Sequence, residues 1–309
     1  EDKTRVDIFR EYFIHINEPI WPHFFGFLQI SNQLCVYLAS HIISKLACWS
    51  SRLMELDDLT FYVNWLCGQL RKPRNDFLET AARNLQMVLR VREYRQTFVA
   101  ENGINTIVEV LVSKNISKQL QYQLIFCLWC LSFDAVHVMT MSKNSQLIPI
   151  VSDIFREAER EKIIRISLAL FRFILEKLPP PYYRDCALAM VQCKVLKQLK
   201  LLNQKDFSHD PEISDDMAYL EEKLSNSVAD VSSLEEYTAE LRSGRLEWSP
   251  VHKSEKFWRA NAVTFTDNNY ELLKMLIRLL EMDSASPLIL SVAAHDIGEF
   301  VRHYPRGKQ

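Results

Sequence analysis

Glycine is scarce in this 309-residue sequence, which contains only six of them. No segment matches the glycine-rich phosphate-binding patterns GxxxxGK[ST] or GxGxxG. Folds that bind nucleotides through backbone turns need glycine at those turns, so the composition disfavours them. Long helices suit it well, because glycine inside a helix is destabilising. We therefore expect no nucleotide or other cofactor and no catalytic residue in this chain.

Long apolar runs and an excess of basic residues are also missing. No uninterrupted apolar run reaches the 18 or more residues of a membrane span, so we expect no direct membrane insertion. The formal net charge is −2, without the basic excess typical of nucleic-acid binding, so we expect no nucleic-acid partner. Seven cysteines, an odd number, indicate free thiols in a reducing compartment. The chain begins without Met or a signal peptide, as a fragment of a longer reading frame does.

Residues 93–133 form a unit that the rest of the sequence repeats. Its apolar pattern predicts a short helix, a break at Gly103, a helix of about ten residues and a longer apolar helix. Gly103 suits the left-handed turn that closes one helix before another begins. The predicted inward positions recur at helical spacing: Ile104, Ile107, Val108, Leu111, Leu124, Ile125, Leu128 and Leu131. Such a unit cannot bury its apolar face without neighbours of the same kind.

A shift of 43 residues places this unit on the next one. The paired positions are Ile107 with Ile150, Val108 with Val151, Leu111 with Ile154, Ile125 with Leu168, Leu128 with Phe171 and Leu131 with Ile174. A period in the low forties, with two or three helices in each unit, is typical of armadillo and HEAT repeats. The sequence therefore predicts an all-α, armadillo/HEAT-like helical repeat superhelix, whose units contact mainly their nearest neighbours.

Composition changes sharply at residues 206–240, which hold eleven acidic side chains and one base. We predict a solvated loop from Asp206 to Asp215, then separate helices at 217–225 and 234–241. Small polar residues between these helices mark a domain boundary. They also form the candidate hinge: Ser225, Asn226, Ser227, Ser232 and Ser233.

This boundary divides the chain into two predicted domains joined by a short linker. Residues 1–228 form an N-terminal armadillo/HEAT-like repeat domain, and residues 234–309 form a C-terminal helical repeat domain. The last predicted helix pair, at 269–281 and 287–303, follows the same template as the first unit. Its final helix carries more apolar surface than the preceding helix can cover, so we expect that domain to be incomplete and its end frayed.

Candidate chemical sites are few. Cys127 and Cys130 form a CxxC pair inside an apolar helix, where buried thiols explain them better than a metal or redox site. The neighbours His295 and Asp296, with His303 nearby, could form a base and an orienting acid, but no nucleophile is placed beside them. We therefore expect no metal site and no catalytic site.

Two groups are candidates for a partner interface. The first is Lys194, Lys197 and Lys200, within a segment (154–205) of eleven bases and five acids, which is either an electrostatic contact or an ordinary solvated face. The second is Trp248, Phe257 and Trp258, whose residue types often anchor interfaces, although core packing is an equal alternative.

Two functional classes remain from the residues alone. One is a structural or regulatory subunit that contacts a large partner, and the other is an armadillo-type adaptor for linear peptides or trafficking proteins. Armadillo adaptors hold extended peptides with a repeated Asn, and that position falls here on Met87, Cys130 and Phe173. Such side chains cannot hydrogen-bond a peptide backbone, which disfavours the adaptor.

Several segments resemble the H subunit of the vacuolar proton-translocating ATPase. They are LQMVLRVREYRQTFVAENGI (85–104), LQYQLIFCLW (120–129), the stretch 232–265 with LEWSP and KFW, and DIGEFVRHYPRGK (296–308). The resemblance covers essentially the whole chain. It implies a large N-terminal repeat domain, a linker and a smaller C-terminal repeat domain, both truncated here at their outer ends.

The resemblance also implies a function. Members of that family are non-catalytic subunits of the peripheral ATP-hydrolysing sector, on the cytosolic face of vacuolar, endosomal and lysosomal membranes. They permit activity in the assembled pump and silence hydrolysis in the detached sector. The implied partners are the peripheral-stalk heterodimer, the cytosolic part of the membrane stator subunit and, in the silenced state, the central rotor.

Overall fold

The computed structural model describes residues 2–113, 116–205, 207, 210–244, 246–282 and 286–306. These residues form α-helices and one 3₁₀ turn (Thr264–Thr266), and no strand occurs among them. The first eight helices are α1 Asp2–His15, α2 Ile20–Phe27, α3 Gln33–Trp49, α4 Leu56–Arg71, α5 Leu78–Val88, α6 Arg92–Ala100, α7 Gly103–Val112 and α8 Lys118–Leu131. The remainder are α9 Ala135–Ser142, α10 Leu147–Arg156, α11 Glu161–Lys177, α12 Pro180–Gln192, α13 Val195–Leu202, α14 Pro211–Ser243, α15 Glu255–Asn261, α16 Asp267–Leu280 and α17 Pro287–His303.

The repeat predicted from the sequence is present. Helices α6, α7 and α8 form the first three-helix unit, and α9, α10 and α11 form the next, one period further along. Helices α3, α5, α8 and α11 pack side by side in one layer, while α4, α7 and α10 pack together in a second. The predicted inward residues lie in the core between these layers, with Ile107, Leu128 and Phe171 fully buried.

Hydrogen bonds between side chains one repeat apart join neighbouring units. His41 Nδ1 lies 3.0 Å from Asn84 Oδ1. Lys162 donates to Gln119 at 2.7 Å, and Arg172 donates to Asp216 at 2.8 Å. These pairs are separated by 43 or 44 residues. They satisfy polar groups at the seams between units that apolar packing alone would leave without partners.

Local signals explain where the helices begin. Asn32, Ser117, Ser254 and Ser286 each accept a hydrogen bond from the backbone N–H three residues on, so each caps a helix. The proline run 179–181 ends α11 as predicted, and Pro180 then starts α12, because proline is compatible with the first helical position.

The role predicted for Gly103 is wrong. Asn102 takes the left-handed conformation between α6 and α7, with φ of 59°. Gly103 is the first residue of α7 and lies against the ring of Phe98, so that a Cβ at this position would overlap the ring. Glycine is needed here for close packing, while Asn, which tolerates the left-handed region, forms the turn.

The loop and helix break predicted within 206–240 are also wrong. Helix α14 begins at Pro211, because Asp210 is buried and its carboxylate accepts from the backbone N–H groups of Glu212 and Ile213. Asp206, Ser208 and His209 lie outside the described residues.

The same helix continues to Ser243 through the whole candidate hinge. The Ser227 hydroxyl donates to the Lys223 carbonyl at 3.0 Å, so this serine is satisfied without leaving the helix. The side chain of Ser232 lies outside the described part of the structure.

The chain divides into two compact units, residues 1–222 and 223–309. The division falls within α14, near the predicted boundary at 228–234, which stays a prediction. The second unit has a core of its own, made of Tyr237, Leu241, Leu246, Phe257, Trp258, Ala262, Phe265, Leu276, Leu279, Val292, Ala293 and Phe300. On α17, Leu288 and Val301 remain exposed while Val292 and Phe300 are buried.

Candidate interaction surfaces and the buried Asp296 cluster

The three candidate lysines lie on one side of α13 and are all exposed. Lys194 stands at the N-cap in the left-handed conformation, with φ of 65°, and Lys197 and Lys200 follow at intervals of three residues. The opposite side of the helix buries Val195, Leu199 and Leu202. Packing therefore fixes the helix and leaves three cations toward solvent, available to an acidic partner; their use as an interface stays a prediction.

Two of the three aromatic anchors predicted for a partner are core residues. Trp258 is fully buried and donates its indole N–H to the His252 carbonyl at 2.8 Å. Phe257 is also buried, with its ring 5.3 Å from that of Trp258. Neither side chain can contact a partner without unfolding the second unit, so the core-packing alternative holds for both.

Trp248 is the aromatic candidate that remains accessible. Its side chain is 41% exposed, with its ring centroid 5.0 Å from that of His295. The Lys253 ammonium lies 5.1 Å from the ring centroid. These contacts fix the indole at the surface of the second unit, where it stays a predicted partner contact.

Asp296 lies at the centre of a buried polar cluster in the second unit. Its carboxylate is fully buried on α17 and accepts a hydrogen bond from the Tyr237 hydroxyl at 2.9 Å. The same oxygen lies 2.8 Å from His252 Nδ1, while the His252 Nε2 atom lies 3.6 Å from a Glu240 oxygen. The sequence had paired Asp296 with its neighbour His295, whose Nδ1 is farther away at 3.4 Å. A residue 44 positions earlier provides the closer partner, and no local pattern signals it.

Opposing effects act on the pKa of His252. Burial lowers it, but the hydrogen bond to Asp296 and the charges of Asp296 and Glu240 raise it more, so the pKa lies above its ordinary value of 6.5. Burial and the Asp296 charge raise the pKa of Tyr237, which keeps the phenol protonated as a donor. The arrangement favours an imidazolium–carboxylate pair inside the second unit.

We predict that this pair makes stability depend on pH. Because the pKa of His252 is higher in the folded state, its contribution is fully present below the unfolded pKa of about 6.5 and is lost as pH rises through the folded pKa. Urea unfolding followed by amide exchange in α17 should show the loss between mildly acidic and alkaline pH. The variant His252→Gln should have a flatter profile, and equal slopes in the two proteins would contradict the assignment.

The CxxC pair has no arrangement for metal or redox chemistry in the described structure. Cys127 and Cys130 are free and buried in α8. Burial raises the pKa of both thiols, that of Cys130 to about 11, so they remain protonated. Across the described residues, no group of three or more His, Cys, Asp or Glu side chains is placed to hold a metal ion. None of the described helices combines the length and hydropathy of a membrane span.

The positions that correspond to the armadillo Asn do not form a peptide-holding ladder. Cys130 is buried, and Met87 and Phe173 are half-buried apolar groups. The outer face of α8 instead presents aromatic rings, among them Phe126 and Trp129, 5.2 Å apart. None of these side chains offers an amide that could hold an extended backbone.

Comparison with solved structures identifies the class of protein. A designed armadillo repeat protein, YIII(Dq)4CqI, superimposes with a TM-score of 0.51 at 11% identity, covering 91% of this chain and 99% of that one. A computationally designed armadillo repeat protein for modular peptide recognition gives a TM-score of 0.53 at 10% identity, covering 91% and 99%. At such low identity the likeness shows the fold alone: this is an armadillo-like helical repeat protein.

Comparison of sequences shows the family. Two family models, both for the H subunit of the V-ATPase, match residues 1–224 and 230–309. The V-type proton ATPase H subunit of Drosophila melanogaster is 49% identical over 309 residues, and the second probable V-type proton ATPase H subunit of Caenorhabditis elegans is 49% identical over 310. Both alignments cover all of this chain and 65% of the relative. The chain belongs to the V-ATPase H-subunit family and spans about two thirds of these relatives' length.

Proposed function

We propose that this chain is a non-catalytic regulatory subunit of the peripheral sector of the vacuolar proton-pumping ATPase. It permits ATP-driven proton transport in the assembled pump and silences ATP hydrolysis in the detached sector. Membership of the H-subunit family across both of its domains carries the proposal. The chain then acts on the cytosolic face of vacuolar, endosomal and lysosomal membranes, as a peripheral component.

The proposed partners are the peripheral-stalk heterodimer, the cytosolic part of the membrane stator subunit and, in the silenced state, the central rotor. A helical repeat layer offers an elongated partner a long contact surface, which supports assigning the stalk to residues 1–222. The second unit has a separate core and the exposed Trp248, which supports its assignment to the stator and the rotor.

A hydrolysis assay tests the proposal. The detached peripheral sector, purified without its own H subunit, should hydrolyse magnesium-ATP more slowly as the chain is added, and the decrease should saturate. The chain alone should show neither hydrolysis nor saturable heat on titration with magnesium-ATP. A sector that binds the chain and keeps its full rate would exclude silencing, and absence of binding would exclude the assembly itself.

We predict that the lysines of α13 accelerate association with the stalk heterodimer. The triple variant Lys194→Glu, Lys197→Glu and Lys200→Glu should slow association about tenfold or more at low salt and flatten its salt dependence. Surface plasmon resonance at several ionic strengths measures both quantities. The matched control changes the exposed Lys72, Lys143 and Lys274 to Glu, with the same change of charge. Equal rates for the two variants would leave the three lysines as an ordinary solvated face.

We further propose that α14 is the hinge between two regulatory positions of the second unit. Its segment 225–233 is rich in small polar residues, and Ser225 and Asn226 are exposed. Limited proteolysis of the free chain should cut first within this segment. Helix-stabilising Ala substitutions at Ser225 and Asn226 should slow that cleavage, and first cleavage elsewhere would exclude the hinge.

A further inference from the structure

An aromatic stripe follows the outer face of α8 and its C-terminal end. We define it as Tyr122, Phe126, Trp129 and Phe133. Successive ring centroids are 6.1, 5.2 and 4.8 Å apart, and Phe173 of α11 extends the line at 5.0 Å from Phe133. Phe133 is 40% exposed and the other three rings are half-buried. The stripe spans three helical turns, about 16 Å.

Cations border this stripe on both sides. The Arg90 guanidinium lies 5.2 Å from the Phe126 ring centroid, and the Lys162 ammonium lies 4.7 Å from that of Tyr122. Arg83, two turns before Arg90, is exposed and lines a depression between α3 and α5. Among the residues described, none of these three cations pairs with a carboxylate. Helices α3 and α8 contain no acidic residue at all, so the surface favours a negatively charged partner.

The partner of such a surface must satisfy its own backbone hydrogen bonds. Trp129 and its neighbours in the stripe are rings, without the paired donor and acceptor of an amide. An extended peptide on this face would leave its N–H and C=O groups without protein partners. A helix bonds its backbone internally and presents only side chains, so it suits a surface of rings and cations.

The chain itself contains an example of this kind of contact beside the stripe. The start of α14 packs against α11 through two carboxylates: Asp210 pairs with Arg165, and Asp216 accepts from Arg172 at 2.8 Å. The same Arg172 guanidinium lies 5.0 Å from the Tyr219 ring centroid. An acidic helix with an aromatic side chain therefore packs here by carboxylate–guanidinium and cation–π pairs.

We propose that the aromatic stripe, with Arg83, Arg90 and Lys162, binds an acidic amphipathic helix of a partner protein. The apolar face of that helix covers the rings, and carboxylates two turns apart pair with Arg83 and Arg90. A contact three or four turns long is smaller than a standard stable interface, so the complex forms with micromolar affinity. The surface is separate from the lysines of α13, and the inference does not depend on assembly with an ATPase.

The probe is a fluorescent, stapled acidic helix of about five turns, with Leu at i, i+3, i+4 and i+7 and Glu on the other face. Anisotropy titration with the full chain should give a micromolar Kd that weakens with salt. Three comparison peptides are a shuffled sequence of the same composition, a version with Lys in place of Glu, and an unstapled version with two central prolines. Each of them should bind at least about tenfold more weakly.

The decisive protein variant is Arg83→Glu with Arg90→Glu, which should weaken binding of the acidic helix about tenfold or more. The variant Lys143→Glu with Lys274→Glu has the same charge change elsewhere and should bind normally. Equal losses in the two variants, or absence of binding, would overturn the proposal. Preference for the proline peptide would assign the surface to an extended segment instead. Self-association of the chain that the Arg83 and Arg90 changes abolish would assign it to a second copy.

Discussion

Replacing Asp296 with alanine should lower the free energy of unfolding of the second unit by about 3–5 kcal/mol. The buried carboxylate accepts from the Tyr237 hydroxyl and pairs with His252, so its removal leaves two buried polar groups without their partner. An unsatisfied buried donor costs its full desolvation energy, and an unpaired buried charge costs more. Amide exchange of α17 in increasing urea, read by peptide mass spectrometry, measures this unit separately from the first.

Two further variants distinguish the cluster from a general loss of charge. Asp296→Asn keeps an acceptor oxygen for Tyr237, so it should cost less than alanine. Glu255→Ala removes the exposed carboxylate that pairs with Arg259 at 2.5 Å and should change stability by no more than about 1 kcal/mol. If Asp296→Ala costs as little as Glu255→Ala, the cluster does not hold the second unit together.

The repeat architecture could be predicted because its signal is local and occurs more than once. The 43-residue offset between Leu128 and Phe171 combines helical spacing with the requirement that each unit pack on a similar one. Both residues are fully buried, as that logic requires. A single helix gives a weaker signal, because an amphipathic face does not show what covers it.

The buried polar cluster could not be predicted from the sequence. Asp296 and His252 are 44 residues apart, on different elements, and only the packing of the second unit brings them within 2.8 Å. The adjacent His295 was the more obvious partner, although neighbours in a helix point in different directions. Residue type failed in a similar way for Trp258 and Trp248, since tryptophan is common both in cores and at interfaces.

Helix α14 shows that composition is a poor guide to a helix break. Serine, asparagine and acidic residues between 206 and 240 suggested a loop and a linker. Leu220, Leu224, Tyr237 and Leu241 are buried at spacings compatible with one helix, and their packing outweighs the weak propensity of the polar residues between them. Whether the segment bends between regulatory positions is a separate question, which the proteolysis experiment addresses.

Gly103→Val should produce the largest loss of stability of any single change at the repeat break, about 1–3 kcal/mol or more. A Cβ at Gly103 overlaps the ring of Phe98, which is fully buried and has no free space to occupy. The branched side chain of valine adds to this overlap, and Gly103→Ala should show a smaller loss because alanine also gains helix propensity. Urea unfolding followed by amide exchange in α7 measures the effect.

Matched controls separate the overlap with Phe98 from the conformational freedom of glycine. Gly68→Ala lies in an exposed stretch of α4 with nothing within 4 Å of the new Cβ, so it should stabilise by up to about 1 kcal/mol. Asn102→Gly should be nearly neutral, because Asn102 and not Gly103 holds the left-handed conformation. Shortening the ring in Gly103→Ala with Phe98→Leu should recover part of the loss, giving a favourable coupling energy. Strict additivity of the two changes would show that the Phe98 contact is not the reason for glycine at this position.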